Sequence, residues 1–460
     1  MDSGSSHYDA YSRSSEFERL DEVSLYTELK VDLKWADMST WTMTLPTAEY
    51  LKRWQIEDIY DSILAPPGGC GAAGVPMGIV IIRNNSSIED ALLSGIIVQV
   101  DRDYEGFSDT VTLTGESDTS LLRTRYIEPD PQGMIPNVEN WWSPDGTVAD
   151  DSTSGPCESV LSYYVNYNMG PHSTTDRRLS YLDCAYDSMR GVTVQYQGRF
   201  QYLFDACLEI LKSQAPTGGG TSSTTMPNQS FEIKQTSETG TTRALYQWLE
   251  PVDKTNQAIF GTELGTIPKF QYSEALPIAN YILVGGPDYY AQGGGQTTDT
   301  GKRMFTSLLN LTSAQLYGRR EKQVNYGGNV SGTSGTDAQA EAIMSDMQSQ
   351  ALIEAANDSY ATSITIALRP NEGPLFLQNW DIGNIVTVNL GAAKGVAKKG
   401  NLVFNELIRE VELDINPSGD GETVTPTICD AMKFSRSAGY AAVRAAASIR
   451  MLQNMGGKLL

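Results

Sequence analysis

The chain has 460 residues, enough for roughly two to four domains. Its net charge of −22 repels phosphate backbones and argues against direct nucleic-acid binding. No apolar run approaches the roughly 20 residues of a membrane-spanning helix, and the N-terminal segment has neither the basic nor the apolar region of a signal peptide, so no membrane span and no secretion are expected.

Residues 1–22 are polar and Ser-rich and are expected to form a flexible or partner-bound arm. In SLYTELKVDLKW, residues Leu25, Leu29, Val31, Leu33 and Trp35 share one parity, while Glu28, Lys30, Asp32 and Lys34 take the other, which predicts a strand with one buried face. Trp41, Met43 and Leu45 repeat the pattern. Thr47 is placed to cap a short helix carrying Tyr50, Leu51 and Trp54. Three strands are predicted at 77–83, 95–101 and 109–115, and with the helix they point to a small antiparallel barrel or sandwich over 23–128.

Beyond Pro129, residues to about 155 are loop-like, and a helix is expected after Pro156 with Val160, Leu161, Tyr164 and Val165 on its apolar stripe. Val192, Val194 and Tyr196 alternate as a strand. Phe200, Leu203, Phe204, Cys207 and Leu211 then recur at helical spacing over 199–213. This helical and irregular insert is assigned 129–213. From 214 to 428 the chain is β-rich again, with strands in SFEIK, ALYQWLE, ANYILVGG, ATSITIALRP, NIVTVNL and LIREVELDI. One long helix interrupts them. Thr336 and Gln339 fit a capping box at its start, and Ile343, Met347, Ala351 and Ala355 step along one face. The fold class read from these patterns is mainly β with α insertions.

Catalytic chemistry is sparse. The two histidines are His7, in the arm, and His172, in a polar loop after Gly170 and Pro171, so nucleophilic mechanisms lack a base, and H-E-x-x-H and G-x-S-x-G are absent. Cys70, Cys157, Cys184, Cys207 and Cys429 form no C-x-x-C pair, and Cys207 is expected to be a small buried hydrophobe, so neither zinc nor a disulfide framework is expected. The Gly-rich runs at 218–220 and 293–295 lack the context of a phosphate loop. Paired carboxylates beside Trp141 and Trp142, or Tyr289 and Tyr290, leave a glycosidase arithmetically open, but acidic residues are too numerous for their proximity to mean much. No catalytic residue, cofactor or metal is assigned.

The order of several pieces resembles the minor tail or tail-hub proteins of siphophages that infect actinobacteria. The pieces are WTMTLP (41–46), a short helix, a GIVIIR-type strand, SGIIVQV opening at Ser94, and VTLTGESDTSLLRTRYIEPDP (111–131). GRFQYLFDACLEIL then resembles the family's aromatic helix, and WDIGNIVTVNL (380–390) with 407–428 its closing strands, although Asn384 stands where the family usually has an acidic residue. The resemblance implies two tail-tube-like β-domains per subunit and a homotrimeric hub at the tail tip, within the virion. Its implied partners are the distal tail protein ring, the C-terminus of the tape-measure protein and other minor tail or tip proteins. The competing readings are a tail-tip hydrolase acting on cell-wall polysaccharide or peptidoglycan, and a carbohydrate- or receptor-binding module.

The last block, 429–460, is Ala-rich. From 431 onward it carries Lys433, Arg436, Arg444, Arg450 and Lys458 and no acid. Arg436, Arg444, Arg450 and Lys458 are assigned as partner-binding residues, on the expectation that a helix there docks on an acidic neighbour.

Overall fold

The computed structural model describes residues 8–56, 76–83, 91–128, 151–175, 177–198, 200–214, 228–237, 243–293, 296–326, 333–334, 337–359, 361–368, 373–391, 403–416 and 421–429. The first region holds β1 (Tyr8–Arg13), β2 (Arg19–Glu22), β3 (Glu28–Lys34), β4 (Thr40–Pro46), α1 (Thr47–Arg53), β5 (Gly78–Arg83), β6 (Leu93–Glu105) and β7 (Ser108–Ser117). A short 3-10 helix, Asp118–Thr124, follows. Alternation in β3 and β4 buries Leu29, Val31, Leu33, Trp41, Met43 and Leu45, as their parity requires. Leu25 precedes β3 and stands 60% exposed, so the parity match there was fortuitous.

Residues 8–22 do not form the expected arm. β1 pairs along its whole length with β5 and also with β2. Its polar residues hid this role because their partners are distant in sequence: Ser12 Oγ donates to the Arg53 carbonyl at 2.6 Å, and Arg13 meets Asp118. Nor does Thr47 cap α1. Pro46 takes that position, and the Thr47 hydroxyl donates to Asp109 Oδ1 at 2.6 Å.

The middle region contains β8 (Asp151–Pro156), α2 (Cys157–Asn168), β9 (Leu182–Cys184), β10 (Thr193–Gly198), α3 (Leu203–Lys212), β11 (Ser230–Gln235) and β12 (Ala244–Leu249). β8 replaces part of the expected loop and pairs with β10. A second core joins Leu161, Tyr164, Phe204 and Ile210 of the helices to Phe231, Ile233 and Tyr246 of β11 and β12. Those two strands, counted by sequence with the later β region, therefore pack on the helical insert.

The last region runs β13 (Val252–Asp253), β14 (Ile259–Gly261), β15 (Lys269–Ala275), β16 (Tyr281–Gly293), β17 (Gln296–Leu309), α4 (Leu311–Tyr317), β18 (Glu321–Asn325), β19 (Thr333–Ser334), α5 (Asp337–Asp358), β20 (Ala361–Ala367), β21 (Asn384–Asn389), β22 (Val403–Asn416) and β23 (Gly421–Cys429). α5 lays Ile343, Met347, Ala351 and Ala355 on Ile282, Val284 and Met304 of β16 and β17, the face that their spacing predicts. The side chains of the proposed capping box, Thr336 and Gln339, lie outside the described residues.

Among the described residues, fourteen strands join in one sheet whose main path runs β15-β20-β23-β22-β3-β4-β7-β6-β5-β1-β2. The path has two ends and does not close into a barrel. The architecture is mainly β with helical insertions, and the two β-rich regions meet directly where β22 pairs antiparallel with β3.

Candidate assembly surface

The residues with chemical potential are mostly occupied by structural tasks. His172 lies in a surface turn with its ring edge-on to Tyr167 at 5.2 Å, and His7 lies outside the described residues. Burial pushes the Cys207 and Cys184 thiols up to about 12, and it raises Cys157 further, so all three stay protonated and unreactive at neutral pH. Burial also raises the carboxyl of Glu209, which accepts a hydrogen bond from the Tyr196 hydroxyl at 2.6 Å between α3 and β10. No group of three or more His, Cys, Asp or Glu among the described residues is placed to hold a metal, and no described helix is long and apolar enough to cross a membrane. Trp141 and Trp142, and the side chains of Tyr289 and Tyr290, lie outside the described residues, as do Arg436, Arg444, Arg450 and Lys458.

A crevice between β3, β7 and β11 is lined by Ser39, Ser94, Ser117, Thr119 and Ser230. Each hydroxyl there accepts a backbone N–H. Ser94 takes Gln235 (2.9 Å), Thr119 takes Ile233 (3.1 Å), Ser230 takes Ala36 (2.8 Å), Ser117 takes Ser39 (3.2 Å), and Ser39 takes Lys34 (3.0 Å). The crevice is thus the joint that fastens β11 of the insert to the main sheet. Trp35 strengthens it by donating from Nε1 to the Asn228 carbonyl at 2.6 Å.

Exposed aromatic and ribbon surfaces remain. β6 and β7 continue past the body as a two-stranded ribbon, exposed from Val98 to Ser108 apart from half-buried Val100. Gly106 turns the ribbon at φ +60°, and Phe107 beside it is fully exposed, with Tyr104 at 67%. The tip carries Asp101, Asp103 and Glu105. Arg102 is held in a two-pronged pair with Asp109, both bonds 2.8 Å. Among the described residues, β2 and β15 are the two ends of the main sheet's path.

A second surface forms where the 3-10 helix meets α3. Tyr126, Phe200 and Tyr202 are 42–55% exposed and adjoin one another, the first two with ring centroids 6.1 Å apart. Phe200 was expected on the buried face of a helix. The helix starts only at Leu203, and Phe200 sits before it in the left-handed region at φ +55° with its ring outward. Arg177 stacks over Tyr126 at 5.2 Å and pairs with Glu128 at 2.8 Å. Arg125 donates to the Arg177 carbonyl at 3.1 Å; exposed Arg123 lies two residues before Arg125, and exposed Arg178 follows Arg177. Sequence reasoning missed both surfaces. The only signal for the ribbon was an acidic turn around Gly106, and nothing local marked Phe200.

No curated protein matches the chain. Three solved structures overlay most of it. The 43 kDa tail protein of prophage MuSo2 from Shewanella oneidensis shares 8% identity at TM-score 0.45, covering 92% of this chain and 98% of that one. A tail protein from Neisseria meningitidis MC58 shares 11% at 0.45, covering 92% and 96%. A prophage tail protein from Listeria monocytogenes EGD-e shares 9% at 0.46, covering 95% and 98%. At these values the likeness carries no argument. The family model is decisive, because it matches residues 11–430 and so spans all three regions of the fold. The chain belongs to the Siphovirus ReqiPepy6 Gp37-like protein family.

Proposed function

We propose that this chain is a structural hub, or minor tail, protein at the tail tip of a siphovirus, and that it is a component of the virion rather than an enzyme. As a homotrimer it joins the distal tail protein ring to the tip apparatus and closes the tube around the C-terminus of the tape-measure protein. The family match over residues 11–430 carries this reading. Three features of the molecule support it. One sheet runs through both β-rich regions, giving a stiff body. The hydroxyl-lined crevice is consumed by internal hydrogen bonds. The exposed features are ribbons, sheet edges and aromatic residues suited to contact.

In this role the first β-rich region, from Tyr8 to about residue 128, and the later one, from Val252 to Cys429, act as the paired units that would match a trimer to a sixfold neighbour. The basic block from 431 acts as an electrostatic tether to an acidic partner, through Arg436, Arg444, Arg450 and Lys458. Cryo-electron microscopy of purified virions tests the proposal. Density for three copies between the distal tail ring and the tip is the expected result, and virions lacking the chain would overturn it.

A further inference from the structure

We propose that the tip of the β6–β7 ribbon in one copy seats on the Tyr126, Phe200 and Tyr202 surface of the next copy, head to tail. This inference deepens the hub reading and rests on it for the partner being a second copy.

The ribbon needs a partner. A lone two-stranded ribbon is marginal in water, yet this one leaves the body with Tyr104 and Phe107 uncovered. Its charge is negative, since Asp101, Asp103 and Glu105 lie on the exposed tip while its arginine is turned back to Asp109. The receiving surface has the opposite character. Within a chain of net charge −22, Arg177 lies over Tyr126 at 5.2 Å, Arg125 donates to the Arg177 carbonyl, Arg123 lies over the adjoining Phe204 ring at 4.9 Å, and exposed Arg178 follows Arg177 in the chain; Asp205 at the start of α3 is an exposed acid among the described residues. Phe200 holds a backbone conformation that disfavours an aromatic residue. Its N–H is fixed to the Ile127 carbonyl at 2.8 Å, and the ring still projects outward. Aromatic anchors ringed by arginine are the usual composition of a contact centre.

The two surfaces cannot satisfy each other within one chain. β7 leads from the ribbon tip to the 3-10 helix that contains Arg123, and its 10 residues span ~33 Å at the rise of an extended strand. The tip and the aromatic surface of one copy are therefore separated by about the length of that strand. A contact between two different surfaces is heterologous and repeats from copy to copy until it closes into a ring or runs on as a filament.

Cross-linking of the full-length chain tests the pairing, in solution and in purified tails. Glu105→Cys combined with Tyr202→Cys should give covalent oligomers on mild oxidation, with neither single variant doing so. Asp103→Arg with Glu105→Arg should weaken self-association at least tenfold, and adding Arg125→Glu with Arg178→Glu should restore it. Thermal unfolding confirms that each variant is folded. An assembled ring in which the cross-link is absent, or self-association indifferent to both reversals, overturns this inference and leaves the hub reading standing. A single copy per tail overturns both. Glycan binding that is lost in Phe200→Ala while self-association stays intact would assign the aromatic surface to a receptor and overturn the pairing.

Discussion

Arg13 and Asp118 lie far apart in sequence and meet where the first strand passes the end of β7. Their side chains are fully buried and joined by two bonds of 2.6 and 2.9 Å, and the Arg13 guanidinium also lies over the Phe17 ring at 4.3 Å. Removing one partner strands a buried charge, so Asp118→Asn should cost about 3–5 kcal/mol, read from the urea midpoint. Arg13→Met with Asp118→Leu should recover most of that loss. Gly383 is constrained differently. It holds φ +76°, and a Cβ there would run into the Trp35 ring, so Gly383→Ala should lower the melting temperature and loosen the joint that Trp35 makes with Asn228. Glu410 gives a pH signature. Burial first, then the charge of Asp32, raises its carboxyl from 4.5 to about 7, with Lys34 opposing and Glu412 adding to the rise. The folded chain therefore keeps a proton that the unfolded chain has released between pH 4.5 and about 7, so this group's contribution to stability falls as pH rises through that window. Glu410→Gln should differ little from the parent near pH 4.5 and be the more stable of the two at pH 8, as measured by paired melting curves.

At the scale of elements, periodicity identified faces well and ends poorly. The stripe of α5 is buried as its spacing requires, and Met347, with no exposed surface, sits at its centre against β16 and β17. Met347→Ala should cost about 2–5 kcal/mol. Hydrogen exchange should show the loss concentrated in β16, β17 and α5, because this layer has a core of its own. α3 is legible from Leu203, Phe204, Cys207 and Leu211, but its start is not, since Phe200 continues the same spacing and only the backbone turn expels it. β8 and β1 were missed for a shared reason. β8 is built of polar and small residues, and β1, although Tyr8 and Ala10 enter the main core, is short and interrupted by Asp9, Ser12 and Arg13, so the strand character of each shows only in its pairing with β10 and β5.

For the whole molecule, the pairing of β22 with β3 makes the two β-rich regions interdependent. One core contains Leu29, Val31 and Trp41 from the first and Ile364, Val411 and Ile428 from the second. A fragment of residues 8–128 leaves β3 with an open edge and half of that core uncovered. Expressed alone, it should be insoluble or loosely packed, and residues 228–429 supplied in trans should restore a sharp thermal transition. Deleting 431–460, by contrast, removes none of the described elements. The truncated chain should melt like the parent while entering tails less efficiently, and normal infectious particles would count against the tether.

The sequence alone determined the fold class, the buried faces of the regular strands and helices, and the kinship with siphovirus proteins. Each depends on residue type and local order, which alternation at Leu29–Leu33 or stepping at Ile343–Ala355 exposes directly. The scarcity of histidine was equally visible. The tertiary structure decided whatever depends on partners distant in the chain. These are the recruitment of residues 8–22 into the sheet, the burial of Arg13 against Asp118, the seam that fuses the two β regions, and the outward turn of Phe200. Such features arise from long-range pairing, in which a polar residue is buried because its partner arrives from another element. No local pattern encodes that arrival.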